Sequence, residues 1–81
     1  MRYLPDVIDE MLAVVPNNEI GLITALSETR ESALFAAPEA QAFWWRNCAE
    51  MLFEELGDHP ADDGWQGRLV DIWMDRDRSR T

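Results

Sequence analysis

Lysine is missing altogether from this 81-residue chain, and the basic side chains are seven arginines set against sixteen Asp and Glu, a formal net charge of −9. Such a balance excludes direct binding of nucleic acid as the expected activity, because neutralising phosphates needs a basic surface. Cysteine is nearly missing too: Cys48 stands alone, so no intrachain disulfide can form and the stapled framework of small secreted domains is excluded. One His, one Cys and no Lys leave almost nothing from which to assemble a nucleophile, its base and an orienting third group, so an enzyme is not expected. The four glycines, at 21, 57, 64 and 67, are too scattered to make a phosphate-cradling loop. No apolar run approaches the roughly 18 residues of a membrane span, and Asp6, Asp9 and Glu10 interrupt what would have to be a signal peptide's apolar region. Cytoplasmic residence, in a prokaryotic cell or a phage-infected host, fits these features.

What the chain does contain is enough large apolar material for one small core. Apolar residues make up 47%, with four Trp, three Phe and one Tyr among them. A chain of this length buries roughly 60 to 65% of the surface that its unfolded form exposes. The expectation is a single helical domain over residues 1–75, with a frayed charged tail at 76–81 in which Arg alternates with Asp or Ser.

Spacing of the apolar residues divides the domain into helices. Leu4, Val7, Ile8, Met11, Leu12 and Val15 recur at three and four and predict a first helix at about 5–15, with Pro5 in its first turn and Pro16 as its stop. A second helix is expected at 18–36, capped by Asn17 or Asn18, with a possible break within the polar stretch 27–32. Unbroken, it would turn Leu22, Leu26, Thr29, Ala33 and Ala36 inward and leave Ile20 and Phe35 on other faces. Broken near Ser27, it would bury Phe35. Pro38 opens a third helix at 38–56, whose stripe of Trp45, Cys48, Ala49, Leu52 and Leu56 runs to a stop at Gly57. Residues 58–62 read as a loop around Pro60, and Asp63 caps a fourth helix at 63–75 that buries Trp65, Leu69, Ile72 and Trp73. With no strand-like alternation of useful length, the fold class is all-α, a compact bundle of three to four helices with the third at its centre.

Six carboxylates, Glu50, Glu54, Glu55, Asp58, Asp62 and Asp63, fall within fourteen residues that contain no Arg. Glu50 and Glu54, four apart, repel each other by a few tenths of a kcal/mol without structural return. They read either as a solvated face or as a docking face for a basic partner. As metal ligands Asp58, His59, Asp62 and Asp63 are unconvincing, lacking the central Gly and closing Glu of a calcium loop and the extra His or Cys of a zinc site, so no metal or other cofactor is expected. Three consecutive aromatics, Phe43, Trp44 and Trp45, cannot all face one core. With Trp45 inward, Phe43 falls in line with Asn47, Glu50 and Glu54, unless it tucks under the corner Ala36-Ala37-Pro38. Phe53, Val70 and Met74 also lie off the main stripes and suit either a core neighbour or a contact with another chain. Cys48 belongs to the buried stripe.

These features suggest a non-enzymatic binding protein whose partner-facing residues are Phe43, Asn47, Glu50, Glu54, Glu55, Asp58, Asp62 and Asp63, and whose partner offers a basic surface, of the kind that holds nucleic acid. In size and acidity, though in no motif, the chain is similar to phage-encoded anti-CRISPR and anti-restriction proteins and to nuclease immunity proteins. The alternative is a small structural or adaptor protein that self-associates as a homodimer through its third or fourth helix, with acidity serving solubility.

Overall fold

The first helix starts where a fixed φ is an advantage. In the computed structural model, which describes residues 3–57 and 64–75, helix α1 spans Leu4–Val14 with Pro5 in its first turn and Tyr3, extended, as its cap residue. The Tyr3 carbonyl accepts from the amides of both Asp6 and Val7. At the other end Val15 is extended, as a residue before proline prefers, and Pro16 stops the helix.

Helix α2, Ile20–Leu34, is continuous through Ser27 to Ser32, so the break does not occur. The polar stretch survives inside a helix because only its inward position, Thr29, must be buried. Leu22, Leu26, Thr29 and Ala33 form the inner line, while Ile20 and Phe35 stay 70% and 80% exposed, as a continuous helix requires. Both ends differ from expectation. The cap residue is Glu19 rather than Asn17 or Asn18, because the Pro16–Glu19 turn, closed by the Glu19 amide on the Pro16 carbonyl, uses up both asparagines. The helix stops at Leu34 rather than 36, since Ala37 is drawn into extended geometry by Pro38. Gln41 then closes that end: its Nε2 donates to the carbonyls of Ala33, at 3.0 Å, and Ala36, at 3.4 Å.

After a single 3-10 turn at Pro38–Ala40, α3 runs over Gln41–Leu56. It ends on Gly57, whose φ of +82° with ψ near 180° suits a residue without Cβ, and whose amide donates to Phe53 O at 2.8 Å. Helix α4 covers Gly64–Met74. The expected loop at 58–62, the Asp63 cap and the tail at 76–81 lie outside the described residues.

The described residues thus form an all-α bundle of four helices. Its centre is α1 and not, as the sequence suggested, α3. Leu4, Val7, Ile8 and Met11 are all fully buried, and α1 packs chiefly on α2 and α4 and also touches α3. The physical reason is the width of its apolar face: Val7 and Ile8 stand 100° apart round the helix with Leu4 and Met11 between them, so one helix serves several neighbours. Of the 16 residues of α3 only Trp45, Cys48 and Leu52 are buried. Trp45 lies against Trp73 of α4 with ring centroids 5.5 Å apart, and Leu69 of α4 is fully buried in the shared core. Across the surface, Arg30 of α2 grips Asp9 of α1 in a fork, Nε to Oδ1 at 2.6 Å and Nη2 to Oδ2 at 3.3 Å. No helix among the described residues is long and apolar enough to cross a membrane.

Candidate functional site

Spacing along α3 decides which of the candidate residues share a face. Phe43, Asn47, Glu50 and Glu54 follow one another at four, three and four, and with Trp45, Cys48 and Leu52 turned into the core this row points outward. Phe43 is 59% exposed, so the corner at Ala36 to Pro38 does not cover it; its ring stands edge-on to Trp44, centroids 5.0 Å apart and planes 84° apart. The neighbouring indole, itself half-buried, holds the exposed phenyl ring in place.

Glu50 and Glu54 are both exposed and border a shallow apolar recess that they share with Ala49 and Phe53. Arg46, one turn earlier, is the single cation on α3 against Glu50, Glu54 and Glu55. Asn47, half-buried, turns toward α2 and lines a second recess of about 190 Å³ with Glu28, Thr29, Ser32 and Trp44. It therefore marks the edge of the acidic row rather than its middle.

Glu55 leaves the row. One residue further on means 100° further round the helix, and its carboxylate approaches the start of α2, where Oε1 lies 3.7 Å from the point a Cβ on Gly21 would occupy. Amides at the start of a helix are short of partners and favour a negative charge, and α2 has no side-chain cap of its own. Glu55 thus stands beside the start of α2, apart from Glu50 and Glu54. Asp58, Asp62 and Asp63 lie outside the described residues.

One group of exposed residues escaped the sequence reading, and a second was singled out there only as lying off the main stripes. On α2 and just past it, Glu28, Glu31, Ser32 and Phe35 line an open recess, and Phe35 is the most exposed large apolar side chain among the described residues. The signal was there in the three- and four-residue spacing of Glu28, Glu31 and Phe35, which only a continuous α2 makes meaningful. On the other flank Phe53 and Met74, 61% and 67% exposed, border a groove between α3 and α4. The recess beside Phe35 and the one beside Trp44 and Asn47 share Glu28 and Ser32, while Glu50, Glu54 and Phe53 border a separate one.

Such a surface can pair with cations and cover apolar groups. Cys48, fully buried behind it, cannot meet a substrate. Among the described residues no group of three His, Cys, Asp or Glu side chains converges in a way that would hold a metal ion. No protein-family model, curated protein or solved structure matches the chain.

Proposed function

We propose that this protein is a non-enzymatic binding module that sets the outward face of α3 on a basic surface of another protein, one shaped to hold nucleic acid. The observation that carries the reading is the row itself: an aromatic ring held exposed at its head, Phe43, followed by Glu50 and Glu54, which make no ion pair with a described residue. An exposed ring costs free energy in water and repelling glutamates cost a little more, so a partner that covers the ring and neutralises the charges recovers both. Lys and Arg grooves built for phosphates offer the matching potential, and a rigid helix presents carboxylates at fixed spacing to them. A net charge of −9 adds long-range attraction toward such a groove.

The deciding measurement is capture of host proteins on the immobilised chain at about 0.05 and 0.5 M salt, the double variant E50K/E54K serving as the control. Basic nucleic-acid-binding proteins should be retained at low salt, released at high salt and not retained by the variant. Retention of the same proteins by the variant refutes the reading.

A second reading, self-association through α3 or α4 with acidity serving only solubility, draws on the exposure of Phe53 and Met74. It differs in its salt response, because an apolar dimer persists or tightens as salt rises.

A further inference from the structure

Between α3 and α4 lies a groove of about 370 Å³ whose lining carries no charged side chain among the described residues. Ala49 and Phe53 form one wall, Val70 and Met74 the other, with Trp73 between them. Two of these four wall residues, Phe53 and Met74, are more than half exposed. Fully buried Leu69 lies beneath and is already satisfied by the core, so closing the helices further would not cover the rims.

Charge surrounds the groove unevenly. Ala49 and Phe53 also border the recess of Glu50 and Glu54, so two carboxylates stand directly outside the α3 wall. On α4 the next exposed position round the helix beyond Met74 is Asp71, with the exposed cation Arg68 one turn before it. Arg46 is the one cation on the α3 side, a turn before Glu50. The pattern is an apolar trough whose acidic rim runs along α3, with Asp71 and Arg68 side by side along α4.

We infer that this groove receives an amphipathic helix of the partner, its apolar stripe on Phe53, Val70 and Met74 and its Lys or Arg flank beside Glu50 and Glu54. The inference rests on the reading of the acidic face given above and names the element that the face receives. A helix suits the trough because it satisfies its own backbone and needs only a line of anchors at three- and four-residue spacing. Strand addition would need a sheet edge, and the described residues contain no strand. A second copy of the chain is the poorer occupant, because two partners each carrying −9 would have to meet across it.

The test titrates the full chain against three labelled synthetic peptides by fluorescence anisotropy. The first places Leu at helical three- and four-residue spacing with Lys on the flanks, the second scrambles the same composition, and the third replaces the Lys with Glu. The first should bind at least roughly ten-fold tighter than the second and show no measurable competitor in the third. The double variant F53S/M74S, with both positions largely exposed and its helicity checked by circular dichroism, should erase the difference between the first two peptides. Equal binding of the scrambled peptide overturns the groove while leaving the acidic face standing. Equal binding of the Glu peptide removes the charge argument and both readings with it. Absence of binding by the first peptide overturns the groove, as does a dimer in sedimentation that F53S/M74S disperses, which would give the trough to a second copy.

Discussion

Replacing Ile8 by alanine is the most direct test of α1 as the centre of the bundle. Ile8 is fully buried, as are Leu4, Val7 and Met11 beside it. The substitution removes three carbons, which at about 0.8 kcal/mol each is about 2.4 kcal/mol of lost transfer free energy. If the neighbours do not collapse into the space, a cavity of about 80 Å³ adds up to about 1.9 kcal/mol at 24 cal/mol per Å³. Helices α2, α3 and α4 all lean on α1 and cannot all follow a shrinking side chain, so the loss should fall at about 3–4 kcal/mol. For a domain of this length the whole stability is about 4–12 kcal/mol, so the variant stands near the edge of folding. Urea unfolding followed by tryptophan fluorescence reads the change. With m near 1–1.5 kcal/mol/M the midpoint should drop by about 2–4 M at unchanged slope. Ile8→Val should cost only about 0.5–1.5 kcal/mol. A loss below about 1 kcal/mol for Ile8→Ala, with m unchanged, would refute the placement of α1.

Two glycines should respond with opposite signs in the same unfolding assay. Gly21→Ala, whose added Cβ meets Glu55 Oε1 at an ordinary 3.7 Å, should stabilise by about 0.5–1 kcal/mol, whereas Gly57→Ala, at φ +82°, should destabilise by about 1–3 kcal/mol. A double-mutant cycle on Asp9 and Arg30, whose side chains are 51% and 37% exposed, should return a coupling of no more than about 1 kcal/mol that shrinks in high salt; a larger, salt-insensitive value would mean the fork is shielded from water.

Helical periodicity was legible wherever one face was continuously apolar. The stripes Leu4 to Val15, Trp45 to Leu56 and Trp65 to Trp73 locate three helices, because burial of such a stripe leaves few alternatives. Prolines and Gly57 punctuate them for reasons of φ alone, which no tertiary contact needs to supply. The row of Phe43, Glu50 and Glu54 was legible for the same reason: once Trp45 faces inward, helix geometry points them outward, while Asn47 at its edge is turned toward α2.

Neighbours not adjacent in sequence decided the rest. Helix α2 is carried across Ser27 to Ser32 by burial of Leu22 and Leu26 before the polar stretch and Ala33 after it, and its end is closed by Gln41 from the next element, a contact between chain segments that local pattern does not encode. Which helix lies at the centre depends on how many faces find partners at once, and only the packing shows α1 meeting three helices. Glu55 looks like its neighbour Glu54 in one dimension, yet a 100° step brings it to α2. Charge and periodicity along the chain therefore determined the class of fold and the outward row, while the sharing of apolar surface among four helices settled the core and opened the groove between α3 and α4.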